Sequence, residues 1–211
     1  DIDIIIQREK KQRIIYHGLD RDKNEPVWSP DGKWIAFTDY SRIWIVSTIG
    51  GEPKLIFENF HEDIPAGKVG SLCFTPDSRE IIFMREIFDK KRGSFIRSRW
   101  NKNKYIYTLH NPMPTIESIN IYTGESNTIV EEGYNCTLGK SGRYLCYLKF
   151  DSKMYSNPSE TDHLGLPVIY DMETSRTWYL TDDEEFIFGR PTFSPDESHI
   201  IASVRKRESS Q

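Results

Sequence analysis

The hydrophobic and polar positions of this chain repeat one ten-residue pattern four times. Each copy begins with an aromatic residue or leucine, continues through a short polar turn and ends in a run of apolar residues. The copies begin at Trp28, Phe74, Leu138 and Phe193. In the first copy, Pro30 and Gly32 occupy the second and fourth positions of the turn, as a type I turn favours. The apolar runs lack the alternation of a half-buried strand, so each predicts a strand covered on both faces.

A second kind of hairpin lies between these copies. Its four examples span residues 2–16, 43–57, 119–130 and 168–180, and two of them carry glycine in the turn. These segments have the strand-turn-strand signature of a β-hairpin. Two hairpins in alternation supply four strands per unit, which is how the blades of a β-propeller are built. The spacing from Trp28 to Phe74 fits the blade period, whereas the two longer spacings require insertions.

The sequence therefore predicts an all-β fold, a β-propeller of four-stranded antiparallel blades, with four units in one domain spanning 1–211. The predicted parts are an outer hairpin at 2–17, blades at 26–58, 71–131 and 134–181, an inner hairpin at 190–205, and insertions at 88–105 and 151–166. In the favoured arrangement, the two terminal hairpins complete one blade and close the ring. In the second arrangement, the chain forms an arc of a larger propeller. The alternative to a propeller is an unrelated β-sandwich.

The stretch 26–57 starts with Pro-x-Trp-Ser-Pro-Asp-Gly-Lys and contains the turn Ile-Gly-Gly-Glu-Pro-Lys. It resembles the repeat of TolB-type propellers, and similar repeats occur in prolyl-oligopeptidase-like peptidases, tricorn-type proteases and oligogalacturonate lyases. The resemblance covers nearly the whole chain and implies the propeller fold. It suggests a periplasmic or extracellular location and carries over no catalytic residue. The third copy, from Leu138, departs most from the motif, so a regular blade geometry is least expected there.

Composition narrows the class of protein. The 211 residues carry a formal net charge of −4, which provides no general attraction to nucleic acid or to an anionic membrane. No apolar run approaches the roughly 18 residues that a transmembrane helix needs. Three cysteines, Cys73, Cys136 and Cys146, are too few for a disulfide framework. Buried thiols are predicted, and a bridge between Cys136 and Cys146 is the alternative.

The insertion after the second copy carries the candidate binding residues. Residues 90–105 hold seven basic side chains with aromatic residues between them. The residues selected as a binding surface are Arg97, Arg99, Trp100 and Lys102. Such a surface fits an acidic protein or polysaccharide. The alternative is a solvated hairpin whose charges keep an exposed β-ribbon from pairing with other chains.

These features predict a non-catalytic interaction platform that binds a protein partner through its loops, with no cofactor, no metal and no catalytic residue. A sugar-active lyase or hydrolase is the first alternative. It requires Glu160, Asp162 and His163 of the second insertion to converge with His61 or His110. The second alternative is the accessory propeller of a prolyl-oligopeptidase-like peptidase, whose hydrolase domain would lie elsewhere, since the Gly-x-Ser-x-Gly elbow is missing from this sequence.

Overall fold

The computed structural model of the chain describes the backbone of residues 4–8, 11–16, 24–60, 67–87, 95–101, 104–109, 113–150, 165–182 and 186–206. Side chains are described for 24–60, 67–87, 114–149, 165–182 and most of 186–206. The regular elements of these residues are all β-strands. Within the same residues, no helix of the length and apolar character needed to cross a bilayer is found.

The strands form sheets of two or four members. The first hairpin is β1 (Ile4–Arg8) with β2 (Lys11–Tyr16), and blade 1 contains β3 (Asn24–Trp28), β4 (Trp34–Thr38), β5 (Arg42–Ser47) and β6 (Lys54–Glu58). Blade 2 contains β7 (Val69–Phe74), β8 (Glu80–Ile87), β11 (Met113–Asn120) and β12 (Ser126–Glu131). Its inserted hairpin is β9 (Phe95–Asn101) with β10 (Lys104–Leu109).

Blade 3 contains β13 (Gly133–Leu138), β14 (Tyr144–Phe150), β15 (Gly165–Asp171) and β16 (Thr177–Tyr179). The C-terminal hairpin spans 186–206. In it, β17 (Phe186–Phe188) pairs with β20 (Val204–Lys206), and β18 (Thr192–Phe193) pairs with β19 (Ile200–Ile201). Every pairing is antiparallel, and each blade is ordered as its strands follow in the sequence. The all-β, blade-like architecture predicted from the repeat is confirmed.

The favoured closure of the ring is not formed among the described strands. β1 and β2 pair only with each other, and the strands of the C-terminal hairpin pair only among themselves. The terminal hairpins therefore do not share a blade, and the described sheets form an arc of blades.

The hydrophobic core lies between the blades. One cluster joins blade 1 to blade 2, with Ala36, Ile45, Phe74 and Ile81 among its buried members. A second cluster joins blade 2 to blade 3 in the same way. Because consecutive residues of a strand point to opposite faces, a second strand such as β8 contributes to both clusters. The prediction that these strands are covered on both faces is confirmed for blades 1, 2 and 3.

All four copies of the repeat form the same turn. The backbone N–H groups of Gly32, Ser78, Gly142 and Glu197 donate to the carbonyl three residues earlier at 2.8–2.9 Å, and all four residues have a positive φ. The third copy therefore has the regular geometry that its sequence did not lead us to expect. The turn depends on backbone hydrogen bonds and one left-handed residue, and Gly142 supplies that residue without the motif's proline.

Turns of neighbouring blades touch each other at equivalent positions. The N–H of Asp31 in blade 1 donates to Ser78 Oγ in blade 2 at 3.1 Å. Ser141 in blade 3 donates from its backbone N–H to the Glu197 carboxylate, and its Oγ lies 2.7 Å from Glu197 Oε2. Between blades 2 and 3, a Cβ at Gly142 would lie 2.8 Å from the ring of Pro76. The turns thus form a continuous line of contacts along the arc.

Gly142→Ala should destabilise the fold more than Gly32→Ala, because only the first substitution collides with a neighbouring blade. A left-handed alanine costs roughly 1–2 kcal/mol at either site. The contact with Pro76 should add roughly 1–3 kcal/mol at Gly142, whereas no atom lies within 4 Å of a Cβ at Gly32. Urea unfolding of both variants measures the difference, and equal losses would contradict the proposed contact between turns.

The aspartates of three turns accept hydrogen bonds that favour their charged form. Ser29, Thr75 and Ser194 donate from their hydroxyls at 2.6–2.7 Å to the aspartate two residues later. These hydroxyls lower the pKa values of Asp31 and Asp77. In the fourth turn, Ser194 and then Ser198 lower the pKa of Asp196 to about 2. The carboxylates therefore stabilise the turns only while they remain ionised.

Acidification should weaken the fold through Asp196. Its pKa is depressed in the folded state, so its contribution is complete above the ordinary value of 3.8 and is lost as the pH falls toward about 2. Asp196→Asn should make the decline in unfolding free energy between pH 5 and about pH 2 shallower. Chemical denaturation across this range tests the slope, with the exposed Asp182→Asn as control. The role of Asp196 would be refuted if Asp196→Asn left the slope of unfolding free energy against pH unchanged while Asp182→Asn altered it.

Candidate functional site

An apolar cleft of about 660 Å³ lies between blade 3 and the C-terminal hairpin. We call it the interblade cleft. Blade 3 contributes Trp178 and Leu180, and the hairpin contributes Phe193, Ile200 and Val204. Polar groups of the fourth turn form one end of the wall. A largely apolar concavity with a few polar groups is the usual form of a ligand or partner site.

The fourth copy of the repeat is less covered than the others, on the strand face that points away from the interblade cleft. Ala36, Ile82 and Cys146 occupy one repeat position in blades 1, 2 and 3, and each is 0% exposed. Ile201 occupies the same position in the C-terminal hairpin and is 66% exposed. The prediction that the fourth apolar run is covered on both faces is therefore wrong. The described hairpin consists of two strand pairs, β17 with β20 and β18 with β19, and neither pair has a third described strand.

Large apolar side chains continue the exposed surface around the interblade cleft. Trp178, Tyr179, Leu180 and Val204 are between 42% and 53% exposed. Two of these rings are held by neighbours, since Trp178 packs edge-on against Tyr144 and the Lys149 ammonium lies over Tyr179. Exposed apolar surface next to a concave site is a feature that binding sites share. Rings that are already fixed lose little conformational entropy when a partner covers them.

The polar end of the interblade cleft is built on the fourth turn. Ser198 Oγ lies 2.8 Å from Asp196 Oδ1 and 2.7 Å from His199 Nδ1. The N–H of His199 donates to Ser194 Oγ at 3.0 Å. In a nucleophilic triad the carboxylate contacts the imidazole, whereas here it contacts the hydroxyl. The arrangement presents a serine and a histidine at the rim in fixed positions.

A second polar group, the inner-strand cluster, joins the innermost strands of the arc. It contains Glu25, Ser71 and Arg190, each three residues before the start of a repeat copy, and Asn135 has the same position in the third copy. Ser71 donates its backbone N–H to the Glu25 carboxylate, and Arg190 Nη2 lies 2.9 Å from Glu25 Oε1. Glu25 thus connects blade 1 both to blade 2 and to the C-terminal hairpin.

Backbone geometry accounts for the inner-strand cluster. Glu25, Ser71 and Asn135 have φ values of 53°, 55° and 51°, which non-glycine residues adopt infrequently. The register of each inner strand shifts at this position, as in a β-bulge. Sequence reasoning missed these residues. A polar residue three positions before Trp28, Phe74, Leu138 and Phe193 was the available signal, but local sequence does not show which of them meet.

The cysteines follow the main prediction of buried thiols, since Cys136 and Cys146 are buried and Cys73 is partly buried. All three are free thiols, so the alternative bridge between Cys136 and Cys146 is not formed. Cys136 Sγ instead donates to the Ser71 carbonyl of blade 2 at 3.3 Å. The neighbouring Cys73 thiol and burial together raise the pKa of Cys136 well above its ordinary value. Burial alone raises the pKa of Cys146 to about 12, which keeps this thiol protonated and unreactive.

The binding and catalytic candidates from the sequence fall largely outside the described side chains. Arg97, Arg99 and Trp100 lie on β9, but their side chains are outside the described part, as is the whole of Lys102. Residues outside the described part also include Glu160, Asp162, His163, His61 and His110. The predicted basic surface and the alternative acid-base group therefore stay predictions. Among the side chains that are described, no three histidine, cysteine or carboxylate groups converge in a way that could hold a metal ion.

Solved propellers share this fold. TolB from Acinetobacter baumannii superposes with a TM-score of 0.60 at 16% identity, over 95% of this chain and 42% of TolB. A chain of the nidogen/laminin complex gives 0.61 at 12% identity, over 94% of this chain and 64% of that one. An oligogalacturonate lyase in complex with manganese gives 0.58 at 13% identity, over 90% and 47%.

These comparisons confirm the TolB-like propeller resemblance at the level of the fold. No protein-family model matches the sequence, and no curated protein sequence matches it either. The chain spans less than two thirds of the length of each of the three solved chains. Sequence identities of 12–16% extend the likeness to architecture and no further.

Glu25→Ala should destabilise the fold more than Arg190→Ala. The first change leaves the N–H of Ser71, a residue only 3% exposed, without its acceptor, which costs about 1–3 kcal/mol. The second removes an ion pair whose arginine side chain is 53% exposed, and such pairs contribute about 0–1 kcal/mol. Urea unfolding compares the two variants. A larger loss in Arg190→Ala would mean that the ion pair, and not the backbone contact, holds the inner strands together.

Proposed function

We propose that the chain is a non-catalytic β-propeller module that binds a protein partner, with the interblade cleft as its principal contact. The observation that carries the proposal is the exposed apolar wall of the cleft, formed by Trp178, Leu180 and Val204. Interfaces concentrate their binding energy in a few buried aromatic and apolar anchors surrounded by polar residues. The cleft supplies the pocket, and the fourth turn supplies the polar rim.

The basic insertion is proposed as a second contact. Arg97, Arg99, Trp100 and Lys102 would meet an acidic surface of the partner, or an acidic polymer, and would steer its approach. Exposed charges of this kind affect the association rate and its dependence on salt more than the final affinity. The apolar cleft and the basic hairpin therefore have separable roles in the proposal.

A hydrolytic role is the second candidate, and one contact favours it. Ser198 Oγ and His199 Nδ1 lie 2.7 Å apart at the end of the interblade cleft, within reach of a bound ligand. Hydrolysis of ester or glycoside substrates by the purified protein, abolished in both Ser198→Ala and His199→Ala, would support this candidate. Activity that survives both changes would belong to a contaminating enzyme or to another site.

Trp178→Ala should weaken partner binding at least tenfold, because it removes a partly exposed anchor from the wall of the interblade cleft. Tyr122→Ala is the matched control, since Tyr122 is 59% exposed on the outer hairpin of blade 2, outside the cleft wall. The partner is first identified by cross-linking mass spectrometry, then purified and titrated against wild type and both variants by calorimetry.

The titration with purified partner decides the proposal. A control variant that binds as tightly as wild type, beside a weakened Trp178→Ala, supports the cleft as the contact. Equal effects of the two substitutions, or cross-links confined to blade 1, would contradict it. A retained melting temperature in Trp178→Ala shows that the loss is local.

A further inference from the structure

Two of the three cysteines meet across the boundary between blade 2 and blade 3. Cys73 lies on β7, the innermost strand of blade 2, and Cys136 lies on β13, the innermost strand of blade 3. Cys136 is a buried member of the cluster that joins these blades, and Cys73 packs against that cluster. The two thiols contact each other, and Cys136 Sγ also lies 3.3 Å from the carbonyl oxygen of Ser71 on β7. The sulfur atoms are therefore neighbours although they belong to different blades.

The geometry of the repeat explains why these two positions meet. Cys73 is one residue before the start of the second copy, and Cys136 is two residues before the start of the third. Neighbouring residues of a strand face opposite sides of its sheet, so the first position faces the next blade and the second faces the preceding one. The equivalent pair between blades 1 and 2 is Val27 with Leu72, and both side chains pack in the cluster between those blades. An apolar contact at one boundary is thus a contact between two thiols at the next.

The three thiols differ in their access to solvent. Cys73 is partly exposed, whereas Cys136 and Cys146 are buried. A thiol reacts as its thiolate and must be reached by its reagent, so Cys73 is the member of the pair that an oxidant from solvent meets first. Redox-sensing cysteines share this arrangement, in which an accessible thiol lies beside a second thiol that completes the reaction.

We propose that Cys73 and Cys136 are a redox site, which hydrogen peroxide converts into a reversible disulfide that links blade 2 to blade 3. The inference goes beyond the proposed function and does not depend on it, because it uses neither the interblade cleft nor the basic insertion. In the first step, the Cys73 thiolate attacks one oxygen of the peroxide. An S–O bond forms, the O–O bond breaks, and the departing hydroxide takes a proton to become water. Cys73 is thereby oxidised to a sulfenic acid.

In the second step, the Cys136 sulfur attacks the Cys73 sulfur. The S–S bond forms, the S–O bond breaks, and the hydroxide leaves as water with the proton of the Cys136 thiol. In sum, the two thiols lose two electrons and two protons, and one hydrogen peroxide is reduced to two molecules of water. The Cys73 sulfur and burial hold the pKa of Cys136 well above its ordinary value, so Cys136 enters as a thiol. Its attack is nevertheless favoured, because a group fixed beside its target acts at a high effective concentration.

The disulfide has two structural consequences. It closes a loop that contains β8, β11 and β12, the other three strands of blade 2, and a closed loop reduces the conformational freedom of the unfolded chain. It also removes the proton that Cys136 donates to the Ser71 carbonyl. A thiol is a weak hydrogen-bond donor, so the first effect is the larger one. Oxidation should therefore raise the urea midpoint of unfolding by roughly 1 M relative to the reduced protein.

Differential alkylation maps the bond in the wild-type protein. The folded protein is treated with hydrogen peroxide, denatured in iodoacetamide, reduced with dithiothreitol, and labelled with N-ethylmaleimide before peptide mass spectrometry. We expect the maleimide on Cys73 and Cys136 and the acetamide on Cys146, which is the internal control. Electrophoresis without reductant should show a monomer. Protein unfolded in urea before the peroxide treatment should form at least tenfold less of this link, because the two thiols are then no longer held together.

Serine variants separate the two steps. In Cys136→Ser, oxidation of Cys73 should stop at the sulfenic acid, which dimedone traps, and the new hydroxyl still provides a donor for the Ser71 carbonyl. In Cys73→Ser, Cys136 should form neither a disulfide nor a dimedone adduct. Cys146→Ser is the matched control and should form the link as the wild type does. If a variant fails to fold, the map of the wild-type protein decides the same point.

Several results would overturn the proposal. They are a disulfide that includes Cys146, a disulfide between two molecules, three free thiols after peroxide treatment, and a dimedone adduct on Cys136 in Cys73→Ser. A link that forms as fast in the urea-unfolded protein would also overturn it, because the folded contact would then contribute nothing. A urea midpoint that oxidation leaves unchanged would show that the bond does not strengthen the boundary between blades 2 and 3.

Discussion

Burial of the second strand of each blade on both of its faces is the constraint on which this structure depends. A strand with consecutive apolar residues cannot be covered by its own sheet, so every blade needs a neighbour on either side. Ile81, Ile82 and Phe83 meet this need in blade 2, where all three are 0% exposed. Hydrophobic burial of this kind is the dominant stabilising term in folding, and here it acts between sheets and not within them. An arc of blades is therefore most stable where each blade packs between two others and least stable in its terminal units.

The same repeat that builds the interblade core also places polar residues in register. The turns contact one another through Asp31 and Ser78, and through Ser141 and Glu197. The inner-strand cluster forms a second contact between units, near the start of the first strand of a blade. There the Glu25 carboxylate accepts hydrogen bonds from the Ser71 N–H and from the Arg190 guanidinium. Equivalent positions in neighbouring units come close together in a radial array, so a polar residue repeated along the sequence becomes a polar contact in space.

Function in this fold depends on features that the repeat does not dictate. Solved propellers with similar geometry include a TolB, a chain of a nidogen/laminin complex and a manganese-bound lyase, and their functions differ. Among the described residues, the C-terminal hairpin departs from the repeat in burial, since Ile201 is 66% exposed where the equivalent residues of the three blades are buried. The interblade cleft lies on the other face of the same hairpin, against blade 3.

Local sequence determined the strands, the turns and the alternation of hairpins, because apolar runs and Ser-Pro-Asp-Gly turns depend on neighbouring residues only. The all-β blade architecture could therefore be predicted, including the burial of both faces in blades 1, 2 and 3. The third turn was harder to predict, since Gly142 preserves the geometry after the motif's proline is lost. Only the tertiary structure decided that Cys136 contacts Cys73, that Glu25 meets Arg190, and that the described strands of the two terminal hairpins do not pair with each other. These contacts join residues distant in sequence, and their free energy depends on which sheets face each other, which no local pattern specifies.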